Sequence, residues 1–325
     1  MNVLLTGGAG YIGSHTSLAL LDKGHEVTVI DNLITGNESL IPKAAEFLKC
    51  DISDEQKITN LIKKKKFDVV MHFAGLVRVE ESIKDPKKYE LYNHEKAKSF
   101  INICIKEGLN NLIFSSTAGV YGATKEIQKI DENKKIEPLN PYAVSKYKFE
   151  NYIIDLSNRK KLNTIILRYF NVAGADNKNR TGLMSKNSNN LIKVVCEVAT
   201  KKRNKIIING EDYDTNDGSP IRDFIHVSDL ADMHVAVADK IILEKETNIY
   251  NCGYGSGYSV KEVINEMETI LNYKLNKEIG ERRPDDIPYS VADSKKFEKK
   301  FKWKPKYNNL NYILNSALKW EKLLK

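Results

Sequence analysis

Thr6-Gly7-Gly8-Ala9-Gly10-Tyr11-Ile12-Gly13 decides the reading of this chain. The octet lies between an apolar run, residues 2–6, that reads as a strand and a segment, residues 11–23, that reads as a helix. Gly7, Gly10 and Gly13 fall where a chain must turn tightly, let a pyrophosphate approach without a Cβ in the way, and pack helix against strand. The helix N-terminus then offers N–H groups and the positive end of its dipole to the phosphates. A glycine-rich match alone is weak, and this one gains weight by following a strand and opening a helix. A second strand, 26–30, leads into Asp31-Asn32. An acid about 20 residues past the glycines can accept both ribose hydroxyls of an adenosine, and its charge repels a 2′-phosphate. The pattern therefore points to NAD rather than NADP.

Outward from this turn the chain alternates. Helical patterns at 55–65, 96–107 and 142–157 separate apolar strands at 69–73, 111–114 and 164–167. Apolar strands divided by helices predict a parallel sheet covered on both faces. Beyond Asn171 the rhythm changes: a polar loop at 176–190, a helix at 191–200, a strand at 206–209, a polar loop at 211–220, then short mixed elements. The expected fold is α/β: a doubly wound parallel-sheet Rossmann domain over residues 1–171 and a smaller α/β substrate-binding domain over 172–325, with segments crossing between them.

Composition narrows the class. With 325 residues, 41% of them apolar, the chain can bury a core without metal or disulfide. Cys50, Cys104, Cys196 and Cys252 are scattered and form no CxxC, so reduced packing cysteines are expected. The start lacks a charged n-region and a long apolar h-region, and no run approaches a membrane span, so a cytoplasmic protein without membrane attachment is expected. The net charge of +8 invites a nucleic-acid reading. The lysines are instead spread among many acids, and runs such as Lys63-Lys64-Lys65-Lys66 read as solvated helix ends. No nucleic-acid partner is expected; a positive field also attracts a small anionic substrate.

Pro141-Tyr142-Ala143-Val144-Ser145-Lys146 opens a helix, and a spacing of four puts Tyr142 and Lys146 on one face. An adjacent ammonium stabilises a phenolate and draws the tyrosine toward neutrality, where it can shuttle a proton. The spacing recurs at Tyr92/Lys96, Tyr121/Lys125 and Tyr273/Lys277, which read as surface or packing pairs. Context singles out Tyr142: it follows a strand that ends in Ser115-Ser116-Thr117, and ligands of parallel sheets sit beyond the strands' carboxyl ends.

Taken in order, these motifs resemble an extended short-chain dehydrogenase/reductase, and the chain is similar almost end to end to the UDP-glucose (UDP-galactose) 4-epimerase family. The matching stretches are TGGAGYIGSHT, IDNL, HFAGL, FSSTAGVYG, PYAVSK, RYFNVAGA, NNL, RDFIHVSDLADMHV, YNCG and RRPDDIP. The resemblance implies that Tyr11, Ile12, Asp31 and Asn32 hold the adenosine and pyrophosphate of NAD and that Asp51-Ile52 flanks the adenine. Phe73, Ala74, Gly75, Asn93, Ser115 and Phe170 line the remaining cofactor path. It makes Tyr142 the acid/base, Lys146 its partner on the nicotinamide ribose, and Thr117 the hydroxyl that bonds the sugar 4-oxygen. Asn171, Asn190, Leu191, Arg222, Arg283 and Asp286 match nucleotide-contacting positions, where an arginine fork suits a diphosphate. The implied reaction is reversible: Tyr142 takes the C4 hydroxyl proton as hydride passes to NAD, the 4-keto sugar turns over, and the hydride returns to its other face. A homodimer is a further family expectation.

Departures from the family pattern bear on specificity. Thr117 stands where serine is frequent, with the oxygen kept. Val77 stands where some members carry a cofactor-contacting lysine, and Arg78 is one residue off. Ser290 borders the sugar pocket where a large aromatic is associated with restriction to UDP-glucose and UDP-galactose; a small residue leaves room for an N-acetyl group. Ala118-Gly119 stands where a sugar-nucleotide 4,6-dehydratase would carry an Asp-Glu pair. A 4-epimerase of a UDP-uronic acid or UDP-pentose uses the same scaffold, and a non-catalytic NAD-binding scaffold would be expected to have lost Tyr142 or Lys146. His15 and His72 read as packing residues. His226 and His234 with Asp223, Asp229 and Asp232 are too irregularly spaced for metal ligands, and no metal is expected.

Overall fold

The computed structural model describes residues 1–123, 127–185, 188–244, 247–283 and 286–324. Lys125 of the Tyr121/Lys125 pair, and Pro284 and Asp285 of the RRPDDIP stretch, lie outside the described residues.

Two compact units emerge. The first comprises Met1–Gly122, Ile136–Tyr169 and Ala231–Tyr250; the second comprises Ala123–Lys135, Phe170–Leu230 and Asn251–Lys325. The chain thus leaves and re-enters each unit rather than dividing at one point.

In the first unit strands β1 (Asn2–Thr6), β2 (Glu26–Asp31), β3 (Glu46–Lys49), β4 (Val69–His72), β5 (Asn111–Thr117) and β6 (Asn163–Tyr169) pair in parallel. With the strand Asn248–Cys252 next to β6 they form a seven-stranded sheet in the order (Asn248–Cys252)-β6-β5-β4-β1-β2-β3. The order reverses between β1 and β4, the switch point at which such sheets open a crevice beyond their strand ends. The helices are α1 (Tyr11–Asp22), α2 (Glu55–Lys64), α3 (Val79–Lys84), α4 (Pro86–Glu90), α5 (Lys96–Lys106) and α6 (Pro141–Asn158). A core of Leu4, Ile30, Val70, Phe100, Phe114, Phe149 and Ile166 joins helices to sheet. β1 and β4 are apolar along their buried lengths, because both faces of the sheet are covered, until their last residues, where Thr6 Oγ1 and His72 Nδ1 bond each other at 2.7 Å.

Strand β5 runs three residues further than the apolar pattern predicts, carrying Ser115, Ser116 and Thr117 as ladder residues paired with Leu167, Arg168 and Tyr169. Between α4 and α5 the segment Leu91–Glu95 winds as a π-helix. Such widened turns re-aim a side chain, and here Asn93 is buried.

The second unit has its own core of Ile192, Val195, Ile208, Phe224, Met267, Ile313 and Leu314. Helices Leu191–Ala199, Val260–Leu271 and Leu310–Leu323 pack around short ladders. Asn171–Ala173 pairs with Phe224–His226, and Ile221–Arg222 lies between Tyr258–Ser259 and Tyr289–Ser290. Among the described residues no helix is long and apolar enough to cross a membrane.

Candidate active site

The glycine loop is shaped by what a Cβ would meet. Gly7 has φ +75°, and a Cβ there would lie 2.5 Å from Ala74 N; one on Gly13 would lie 2.3 Å from Gly7 O. These two glycines let β1, α1 and the segment after β4 touch. Gly10 differs. It is the N-cap of α1, caps it with no side chain, and its Cβ would meet only Gly7 O at 3.2 Å. The space over this helix end is open, and a phosphate at the dipole's positive end needs that opening. The loop therefore fits a dinucleotide.

At the end of β2, Asp31 is buried and accepts from Ala9 N (3.0 Å) and Leu33 N (2.8 Å). Burial pushes its carboxyl up, and the two backbone N–H groups oppose this. A Cβ on Gly36 would lie 2.9 Å from the same carboxylate, so glycine there lets the chain pass close by. Asp51, beyond β3, takes Asn32 Nδ2 at 3.1 Å and Lys96 Nζ at 2.6 Å on Oδ2, and Ser53 N at 3.0 Å on Oδ1. Burial disfavours its charge, but Lys96, Ser53 and Asn32 outweigh burial and bring it down to about 2. Ile52 beside it is buried. These residues, Tyr11 and Ile12 included, surround the first turn at the ends of β1, β2 and β3, so the structure brings the adenosine-side candidates together.

The segment after β4 carries the next group. The Phe73 ring lies tilted against that of His234, with centroids 4.8 Å apart. Asn93 Oδ1 accepts from Leu76 N (2.7 Å), while its Nδ2 donates to Leu76 O (3.0 Å) and Ser145 Oγ (3.1 Å). It also leaves little room at Gly75, whose Cβ would lie 3.0 Å from Oδ1. Asn93 thus ties the Gly75-Leu76 turn to α6. Val77 is exposed, and Arg78 N donates to Tyr89 OH at 2.9 Å.

Helix α6 starts at a strong signal: Asn140 Oδ1 accepts from Ala143 N at 3.0 Å, and Pro141 takes the first position. One residue further, Tyr142 faces Thr117 at the end of β5, where Oγ1 of Thr117 also accepts from Gly119 N (3.1 Å). Lys146 is buried, donates to Ser115 O at 3.0 Å and lies over the Phe114 ring. Ser115 Oγ is bonded by Tyr169 OH. Burial pushes the Tyr142 phenol up, and its hydrogen bond with Thr117 draws it back. The lowering expected from Lys146 is not what the protein alone provides, because that ammonium is spent on the Ser115 carbonyl. Lys146 itself is brought down to about 8 by burial, against the pull of Glu150. The first unit thus assembles a hydroxyl, a phenol and a buried ammonium at the sheet's carboxyl edge.

In the second unit Arg222 and Ser290 are register partners on neighbouring strands. Arg222 Nη2 donates to Asp286 Oδ1 at 2.5 Å. Asn171 N donates to Asp223 O, and Asn190 Nδ2 to Val172 O while its Oδ1 caps the helix that begins at Leu191. Arg222, Asp286 and Ser290 therefore lie together, Asn171 is tied to the residue after Arg222, and Asn190 sits at the start of the helix that Leu191 opens, whereas Arg283 is exposed and Phe170 is buried beside Cys252. The carboxylates of Asp223 and Asp229 are taken up by hydrogen bonds within the unit. Asp223 accepts from Tyr254 N, Gly255 N and Ala292 N, and Asp229 from Tyr254 OH and Tyr307 N. His15 Nδ1 bonds Tyr11 O, and His72 stacks against Phe100 and Phe114. Among the described residues Glu90, His94 and Glu95 form a grouping with metal-ligand spacing, but Lys148 lies 2.9 Å from Glu90 and Lys98 3.7 Å from Glu95.

A doubly wound sheet with an open glycine turn, an acid after its second strand and a Tyr-Lys pair facing a strand-end hydroxyl defines a dinucleotide-dependent enzyme of the short-chain dehydrogenase/reductase type. A model of the NAD dependent epimerase/dehydratase family matches residues 3–253. A UDP-glucose 4-epimerase of Azospirillum brasilense is 40% identical over 322 residues, covering 99% of this chain and 92% of its own. The structure of UDP-glucose 4-epimerase from Bifidobacterium longum in complex with NAD+ and UDP is 36% identical, with a TM-score of 0.93 over 99% of this chain and 98% of that one. That of the UDP-Glc/GlcNAc 4-epimerase from Campylobacter jejuni is 40% identical, with a TM-score of 0.85 over 99% of both chains. The chain belongs to the NAD dependent epimerase/dehydratase family and, within it, to the UDP-glucose 4-epimerases.

Proposed function

We propose that this protein interconverts UDP-galactose and UDP-glucose by oxidising and re-reducing C4 of the hexose. The observation that carries the reading is the proximity of Tyr142, Thr117 and Lys146 where the carboxyl end of β5 meets the first turns of α6. When bound, NAD supplies the site that accepts the C4 hydride and gives it back. Gly7, Gly10, Tyr11, Ile12, Gly13, Asp31, Asn32, Asp51 and Ile52 hold its adenosine and pyrophosphate, and Phe73 to Gly75, Asn93, Ser115 and Phe170 line its path. Thr117 Oγ1 orients the C4 oxygen toward the Tyr142 phenol. Tyr142 takes the C4 hydroxyl proton as phenolate and returns it from the same oxygen after the sugar has turned. Lys146 holds positive charge near the phenol when protonated, which offsets the cost of its burial. Asn171, Asn190, Leu191, Arg222, Arg283 and Asp286 hold the nucleotide, so the grip is on UDP while the hexose stays free to rotate. Positions 118 and 119 carry no carboxyl group, which favours epimerisation over dehydration.

The sugar range extends, in this reading, to UDP-GalNAc and UDP-GlcNAc. Ser290, half-buried beside Arg222, carries a side chain much smaller than a tyrosine at this position. The likeness to the Campylobacter jejuni UDP-Glc/GlcNAc enzyme supports it. The working form is a cytoplasmic homodimer without membrane attachment, which light scattering of the purified protein tests.

The deciding experiment is turnover of UDP-galactose by purified protein without added NAD, with UDP-glucose followed by chromatography. Turnover that vanishes in Tyr142→Phe supports the reading. Absence of turnover even after adding NAD would assign the scaffold to another nucleotide sugar, a UDP-uronic acid or UDP-pentose.

A further inference from the structure

One buried charge near the site has no part in the chemistry above. Glu150 lies on α6 one turn beyond Lys146 and two beyond Tyr142, so the three share a helix face. It is fully buried. Its Oε1 accepts from Ser116 Oγ at 2.5 Å and Arg168 Nε at 3.0 Å, and its Oε2 from Arg168 Nη2 at 2.5 Å. Arg168, almost as buried, donates its remaining Nη1 to Tyr121 OH at 3.1 Å and stacks on the Tyr121 ring. One carboxylate thereby joins α6 to β5 through Ser116 and to β6 through Arg168. Ser116 stands between Ser115, whose carbonyl takes Lys146, and Thr117, which bonds Tyr142.

Such a pair is expensive to bury. Well-packed apolar residues in its place are often as stable or more so, whereas removing one partner is costly. Stability is therefore a poor reason for its presence, and a role in fixing register is a better one. The groups facing Lys146 point the same way. From α6 these are Tyr142 and Glu150; from β5 the Ser115 carbonyl and the Phe114 ring; from β4 His72, which burial and Lys146 hold neutral, down to about 3. Asn93 and Gly75 approach from the turn after β4, and Arg168 of β6 stands behind Glu150. Among these only Glu150 is a carboxylate, and it opposes the burial that lowers Lys146.

We propose that Glu150, balanced by Arg168, is a positioning residue for the Tyr142/Lys146 site: it locks α6 in register with β5 and β6 and sets a negative charge one turn from the Lys146 ammonium. The proposal rests on the epimerase reading, because turnover is its readout. Arg168 leaves the paired carboxylate with little freedom, so Tyr142 and Thr117 keep one separation through both half-reactions.

The test compares the wild-type holoenzyme with Glu150→Gln and with the double variant Glu150→Gln/Arg168→Met. It measures kcat and KM for UDP-galactose across pH 6–9.5, with circular dichroism as a fold control. The proposal expects Glu150→Gln to lose about ten- to a hundredfold in kcat, as small misplacements at a site do, with KM little changed. Its alkaline limb moves about one unit lower, because Lys146 loses the carboxylate one turn away and faces an uncompensated Arg168. The double variant keeps the kcat loss but shows a smaller limb shift, since the unpaired guanidinium is gone. Wild-type kcat and limb in folded Glu150→Gln overturn the proposal. If the single variant does not fold, wild-type kcat in the double variant overturns it. A wild type that turns over no UDP-sugar overturns the epimerase reading and this role with it, whereas normal wild-type turnover with an unaffected Glu150→Gln overturns the role alone.

Discussion

The glycines of the first turn separate into two kinds that substitution distinguishes. At Gly7 any side chain meets the Ala74 backbone and sits at φ +75°, a conformation that costs an L-residue about 1–2 kcal/mol before any clash. At Gly10 the added methyl meets one atom, the Gly7 carbonyl oxygen at 3.2 Å, which must shift slightly, and occupies the space a phosphate needs. Gly7→Ala is therefore expected to lower the melting temperature markedly. Gly10→Ala is expected to cost far less stability than Gly7→Ala, about 1 kcal/mol, yet lose bound NAD. The pair is read by thermal unfolding and by the NAD released on acid precipitation; equal NAD retention in Gly10→Ala would refute the phosphate cradle. Tyr142 answers to chemistry alone. Tyr142→Phe keeps the ring in its place near Tyr89, so NAD content is expected to persist while kcat falls roughly 10²–10⁴-fold, the range that a positioned proton donor contributes. At Ser290, Ser290→Tyr is expected to suppress UDP-GalNAc turnover by at least about tenfold while sparing UDP-galactose; equal loss on both sugars would remove Ser290 as the selector.

At the scale of elements, the site depends on how α6 begins. Asn140 and Pro141 fix the first turn, and Tyr142 is the second residue inside it. Asn140→Ala removes the cap and costs about 1 kcal/mol, and fraying there moves the phenol relative to Thr117. The expectation is a kcat loss larger than the small fall in melting temperature would suggest, checked by comparing both with a cap variant of another helix, Asn309→Ala. The same element explains what the amino-acid order reveals and what it hides. Glycine turn, Asp31, Tyr142 and Lys146 are legible because each role needs a residue type at a fixed distance from a strand or helix end. The edge strand Glu46–Lys49 and helices Val79–Lys84 and Pro86–Glu90 are too short and too polar to carry a period. β5 outruns its apolar run because its last ladder residues are hydroxyls. The links among Asn93, Leu76 and Ser145, between Lys96 and Asp51, and between Glu150 and Arg168 span 17 to 52 residues, and spacing in sequence gives no sign of them. Glu150 alone had a local clue, a third position on the helix face already occupied by Tyr142 and Lys146.

Across the whole molecule, each unit carries a carboxylate held low by lysines, and this sets how the protein fails in acid. In the first unit Asp51 is brought down to about 2 against its burial, chiefly by Lys96. In the second, burial likewise opposes the charge on Glu268, but Lys274, Lys277 and Leu275 N outweigh it and bring the group to about 2. Both folded values lie below the unfolded ones, so the stability they contribute is present above about pH 4 and is lost as pH falls through 2. Asp223 has the opposite sign: burial raises it to about 6 despite three backbone N–H donors. Its contribution is whole below about pH 4 and is lost as pH rises through 6. Acid sensitivity between about pH 4 and 2 should therefore respond to lysines remote from the catalytic residues. Lys96→Met removes the main partner of Asp51, and its stability deficit at pH 6 is expected to close toward pH 2. Lys274→Met/Lys277→Met does the same for Glu268. Melting temperatures across pH 2–7 test this: the variant curves should converge on wild type in acid, and curves that stay parallel down to pH 2 would show that neither ion pair sets the acid limit.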